Sequence, residues 1–207
     1  MGRADGGSFS VGVRWALQAM LQSPQFLYRV ERGVPDSVED GRVRLTDYEV
    51  ASRLSFFLWA STPDGALLDA AEAGALSTTA GIETQVARML EDPRARRAAT
   101  AFHQEWLGYG AVTKAQRAEL TPELAGAMVE ESDRFTSWAL WEAGSIGELL
   151  TASVSFRNAT LGEFLDEAGG ADAGFEQVSL YDSRRAGILT QPSLLAVLGK
   201  TNSSAPV

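Results

Sequence analysis

Five polar side chains in this 207-residue sequence stand where chemistry would want them or packing would resist them: Glu49, Arg53, His103, Glu131 and Asn158. His103 is the single histidine. Imidazole is the side chain best suited to move a proton near neutral pH or to bind haem iron axially. With no cysteine and no second histidine it lacks co-ligands, so a structural role on a helix flank shared with Ala99 and Trp106 is expected. The run His103-Gln104-Glu105 is not the H-E-x-x-H zinc pattern. Arg53 lies inside the most apolar helical stretch, four residues after Glu49. One reading is a local pair with Glu49, worth about 0.3–0.5 kcal/mol. The other is a bridge to Glu131, which follows Met128 by three residues and precedes Phe135 by four. That spacing puts the Glu131 carboxylate on an apolar helix face, where an unpaired charge is very costly. Glu130, Glu131 and Asp133 also form an acidic cluster, but adjacent helix positions diverge and the spacing fits no calcium loop, so the cluster reads as a solvated face. An enzyme would need a concave pocket in which Arg53, Glu131, His103 or Asn158 converge.

The elements that position these residues are organised around Thr46–Gly74. Thr46 and Glu49 have capping-box spacing, and Val50, Leu54, Phe57 and Leu58 follow as one face of a long helix. Tyr48, Phe56 and Trp59 add a second apolar face. Thr62 and Pro63 are the expected cap and first residue of a shorter helix that Gly74 stops. Upstream, residues 11–22 form a helix striped by Val13, Leu17, Met20 and Leu21, ended by Ser23-Pro24; residues 25–30 are read as helix continuation and 33–44 as a loop. Downstream, helices are expected over 79–91, 94–107 after Asp92, 121–143 after Thr121, and 158–167. A capping box at Ser145 and Glu148 opens another. Residues 154–157 read as one short strand, 168–174 as a loop and 182–198 as a last helix bent by Gly187 and Pro192. Trp15, Trp59, Trp106, Trp138, Trp141 and the phenylalanines fall mostly on stripes and are expected in the core.

Short loops between successive helices give an all-α class, an irregular multi-helix bundle with one very short strand segment. The expected organisation is an N-terminal helix and loop over 1–44, a main helical domain over 45–168 and a loop plus the start of a further module over 169–207. The net charge of −9 argues against a nucleic-acid partner, which needs a basic surface. No apolar run approaches the roughly 20 residues of a membrane span, and residues 1–10 have no apolar signal-peptide core. The absence of cysteine excludes thiolate metal sites and covalent haem attachment within the chain.

The string LTDYEVASRLSFFLWASTPD, followed by GALS, QVARMLEDPRA, FHQEWLG and LLTASVSFRNATL, resembles the bacterial DUF1592 family. ALQAMLQSPQFLYRVE before it resembles the end of a DUF1595 module, and RRAGILTQPSLLAVLGKTNSSAPV the start of a DUF1588 module. The resemblance implies a piece of a large exported protein of the planctomycete or myxobacterial kind, often found beside cytochrome-c-type modules. It assigns no reaction. The expected role is therefore a structural or docking module whose partners are other modules of the same polypeptide or a redox protein, with haem c carried by neighbouring modules and no cofactor in this chain. The alternative is part of a hydrolase or polysaccharide-active enzyme completed by other modules.

Overall fold

The computed structural model describes residues 8–115, 117, 119–166, 174–180 and 185–199. The sequence expectations for 168–173, 182–184 and 200–207 lie outside them. The chain divides into two compact units, residues 1–56 with 62–85, and residues 57–61 with 86–207.

In the first unit, α1 (Phe9–Leu21) ends where Pro24 cannot continue it. The apolar run that follows is not a continuation. Pro24 occupies the first position of a new four-residue helix, α2 (Pro24–Leu27), and Tyr28 is already extended. The segment expected as plain loop carries a hairpin, β1 (Val38–Glu39) on β2 (Arg42–Val43). Its tip, Asp40-Gly41, has positive φ at both residues, as a two-residue hairpin turn requires.

Next comes α3 (Asp47–Trp59), preceded by the expected capping box: the Thr46 amide donates to Glu49 at 2.8 Å and the Glu49 amide to the Thr46 hydroxyl at 3.3 Å. The buried face is rotated from the expected one. Ala51, Ser55 and Trp59 are buried, whereas Phe57 is 82% exposed. The Ser55 hydroxyl donates to the Ser52 carbonyl at 3.0 Å, which satisfies it within the helix. The cap of α4 (Gly65–Glu72) is Asp64, not Thr62; its carboxylate accepts from the Leu67 amide at 3.0 Å. A 3₁₀ turn (Ala75–Ser77) and α5 (Thr79–Glu91) follow, and Leu67, Ala71 and Leu76 are buried.

The second unit is built on α7 (Pro122–Trp141), capped by Thr121 as its spacing predicts. Around it pack α6 (Pro93–Leu107), the 3₁₀ segment Tyr109–Lys114, α8 (Ile146–Thr151), β3 (Val154–Arg157), α9 (Ala159–Leu165) and α10 (Pro192–Leu198). Val112, Leu124, Met128 and Leu161 make one core cluster; Phe135, Ala139, Leu149 and Ile188 make another. The expected strand is β3, and it pairs antiparallel with an unexpected β4 (Glu176–Ser179), Val154 opposite Ser179. The fold is thus mostly helical with two two-stranded sheets among the described residues. At Gly187 (φ +62°) the chain passes so close to the Leu150 carbonyl that a Cβ would strike it, which is why glycine stands there.

Most expected core aromatics are outside. Trp59 and Phe135 are buried and Trp138 and Trp141 half-buried, but Trp15, Phe26, Phe56, Phe57, Phe102 and Trp106 are exposed. Trp59 is held on three sides: its indole N–H donates to the Met89 carbonyl at 2.9 Å, and the Arg94 and Arg88 guanidinium groups lie 3.4 and 5.5 Å from the ring centroid.

Candidate functional site

Each flagged residue has a definite place within its own unit. Glu131 is fully buried on α7, as its spacing required, but its partner is not Arg53. One carboxylate oxygen, Oε1, accepts a hydrogen bond from the Ser155 hydroxyl and a second from Arg185 Nη2 at 3.1 Å. Its other oxygen has no hydrogen-bond partner among the described residues. Burial pushes the Glu131 carboxyl above its ordinary range, opposed by the Ser155 hydroxyl and the charges of Arg185 and Arg157. Arg157 is itself 3% exposed.

Arg53 instead meets Glu31. Its Nε donates at 2.8 Å and its Nη2 at 2.6 Å, a bidentate pair on a side chain that is 60% exposed. The expected bridge fails because Arg53 faces solvent: the buried face of α3 runs through Ala51 and Ser55. The i, i+4 reading fails too, because Glu49 is occupied by main chain. Its carboxylate accepts from the amides of Arg32 (2.5 Å), Gly33 (3.0 Å) and Thr46 (2.8 Å) and from the Thr46 hydroxyl (3.0 Å). These donors, the Thr46 amide first, hold the Glu49 carboxyl down at about 2, against an ordinary 4.5. The depressed value means stability present above pH 4.5 and lost as pH falls toward 2. Unfolding midpoints measured from pH 6 to pH 2 should therefore fall more steeply in the wild type than in Glu49→Gln; parallel curves would remove Glu49 from this role.

His103 is buried. Its Nδ1–H donates to the Ala99 carbonyl at 2.7 Å, and the ring meets Phe102 edge-on at 5.2 Å. Asn158 caps α9, its Oδ1 accepting from the Leu161 amide at 3.0 Å. The acidic cluster is not a solvated face. Glu130 is half-buried and paired with Arg134, and half-buried Asp133 accepts from the Tyr109 hydroxyl at 2.7 Å. Burial pushes the Asp133 carboxyl up, and burial with the Asp133 contact pushes the Tyr109 phenol up.

Among the described residues no group of three or more His, Asp or Glu side chains could hold a metal ion. No helix among them is long and apolar enough to cross a membrane. Cavities lie among the described residues of the second unit. One of about 830 Å³ is lined by Met128, Phe164, Leu165, Arg185, Leu189 and Leu195. Another, about 640 Å³, lies beside the end of α6 between Gln104, Glu105, Thr113 and Lys114. None of the five flagged residues lines either cavity.

The distinctive constellation is therefore a buried polar seam: Glu131, Ser155, Arg157 and Arg185, continued by a 2.6 Å hydrogen bond between buried Ser132 and Ser193. Sequence reasoning found only Glu131. A signal existed in Val154–Arg157, where strict alternation buries Ser155 and Arg157 and leaves Val154 and Phe156 half-buried. A strand with a cation two residues from a serine is a natural complement for a carboxylate on an apolar helix face.

Residues 45–166, more than half of the chain, match the family model PSD4, a protein of unknown function (DUF1592). The chain belongs to the PSD4 family. Residues 1–31 match a second model, PSD5 (DUF1595), also of unknown function. Comparison with the curated proteins and with the solved structures finds no match. The PSD4 match begins just before the Thr46 capping box, runs through Glu131 and Ser155, and stops at the end of α9. Arg185 and Ser193, which complete the buried seam, lie beyond it.

Proposed function

We propose that this chain acts as a helical structural or docking module of a larger exported bacterial protein, set beside cytochrome-c-type redox modules that carry the haem. The observation that carries the reading is the amount of large apolar surface left outside. Trp15, Phe26, Phe57, Phe102 and Trp106 are all exposed by more than half, and Phe102 and Trp106 stack at 5.8 Å on one side of α6. Soluble surfaces rarely keep aromatic side chains grouped in water unless another surface covers them. The polar candidates support the same reading, because capping, ion pairing and backbone contacts already occupy them. The net charge of −9 suits contact with a basic redox partner. The enzyme reading needs flagged residues converging in a cavity, and the two cavities described are lined by others.

The test is made on the native polypeptide. Antibodies against this chain should recover a product longer than 207 residues with the visible absorbance of c-type haem. Recovery of a haem-free product that turns over a polysaccharide substrate would overturn the reading.

A further inference from the structure

We propose that the cavity of about 830 Å³ in the second unit binds a single-chain alkyl carboxylate, its tail against the apolar lining and its head group on Arg117. Close-packed interiors leave few gaps larger than a water molecule, so a space of this size is no packing defect. It has the dimensions of a small-molecule site, which is mostly apolar with a few polar groups that fix orientation. Met128 of α7 lines it, and that side chain is a fully buried member of the first core cluster. From α9 come Phe164 and Leu165, and from α10 come Pro192, Leu195 and Ala196. Phe164, Leu189 and Leu195 are exposed, so the apolar lining reaches water and a ligand can enter without the fold opening. Covering that lining with an alkyl chain is favourable in proportion to the apolar area removed from water. Aliphatic side chains outnumber the one aromatic ring, Phe164, and such walls suit a flexible chain better than a flat ring.

Charge decides the head group. The polar side chains among the described lining residues are Arg117, Glu119, Arg185 and Thr190. Arg185 gives its Nη2 to the Glu131 carboxylate at 3.1 Å, so its charge is balanced from behind the cavity. The Thr190 hydroxyl is engaged with the amide and carbonyl of Ala186. Glu119 is exposed, where water solvates its carboxylate. Arg117 differs from all three. It is half-buried, and its Nη2 donates to the Gly199 carbonyl, a neutral acceptor just past the end of α10. No carboxylate among the described residues pairs with it. The Gly199 contact holds the guanidinium in place and leaves it further N–H donors and an unbalanced positive charge. A carboxylate supplies both the charge and the planar acceptor pair that a guanidinium fork matches.

The experiment is isothermal titration calorimetry of the full chain with decanoate below its micelle concentration. Binding should saturate at one decanoate per chain, and affinity should rise about fourfold for each methylene added between octanoate and dodecanoate. Decanol and decylammonium, which offer Arg117 no anion, should bind at least about tenfold more weakly than decanoate. Arg117→Gln should weaken decanoate to the level of decanol and leave decanol unchanged. Ala196→Trp, which fills the cavity, should abolish binding of both. A measurement on the wild type needs no substitution: the Met128 methyl resonance should shift on titration while that of Met89 on α5 stays in place. Absence of saturable binding, decanol or decylammonium binding as tightly as decanoate, a flat chain-length series, or binding that leaves the Met128 methyl unmoved would each overturn the assignment.

Discussion

Glu131→Ala should cost about 3–5 kcal/mol of unfolding free energy, read from urea denaturation, because it removes one member of an ion pair whose carboxylate is fully buried. The Ser155 hydroxyl loses its acceptor in the same step. The size of the effect distinguishes this pair from the molecule's other ion pairs. Arg134 with Glu130 lies on the surface, where such contacts contribute about 0–1 kcal/mol. A double-mutant cycle with Arg185→Met separates pairing from packing. If the pair matters as a pair, Glu131→Leu with Arg185→Met should be more stable than Glu131→Leu alone, since a buried ion pair replaced on both sides by apolar groups is often tolerated. A loss below 1 kcal/mol for Glu131→Ala, or no recovery in the double variant, would show that the buried seam contributes little.

A chain ending at Leu180 should lose cooperative unfolding of the second unit. The PSD4 match stops at residue 166, so such a truncation looks harmless from the family boundary alone. Physically it is not. It removes Arg185 from Glu131, Ser193 from Ser132, and the buried side chains of Ile188, Pro192 and Leu194. Burying a large aliphatic side chain contributes about 1.5–3 kcal/mol, so Ile188 and Leu194 together supply about 3–6 kcal/mol. Adding about 3–5 kcal/mol for a buried Glu131 that keeps the Ser155 hydroxyl but loses Arg185 brings the loss into the range of a whole domain's stability, about 5–15 kcal/mol. Near-ultraviolet circular dichroism should flatten as Phe135, Trp138 and their neighbours lose fixed packing. A cooperative transition within 1 kcal/mol of the full chain would show that the segment is dispensable.

The parts of this fold that were legible in the sequence are those decided within a few residues. Caps at Thr46, Asp92 and Thr121 follow from side chains reaching amides two or three positions on. The burial of Glu131 was legible because Met128 and Phe135 share its helix face. Its partner was not, because periodicity says which way a side chain points and not which strand arrives there. Arg53 illustrates the other half of that limit: an arginine inside an apolar helix is read as buried, yet one helix has room for an exposed strip beside a buried one. The aromatics Trp15, Phe102 and Trp106 read as core residues, and they stand outside. An amphipathic face shows that something covers it, and nothing in the pattern requires the cover to belong to the same chain.

The grip of Glu49 on the main chain has a consequence for how the sequence can vary. Its carboxylate ties Arg32 and Gly33 to Thr46, so the intervening segment is a lasso knotted at its neck, with the β1–β2 hairpin at its far end. Lengthening a loop whose ends are already fastened costs little, about 0.6 kcal/mol per doubling. The Asp40-Gly41 tip is thus a natural place for a peptide tag or a fluorescent reporter, and a place where relatives can carry inserts of their own without disturbing α3.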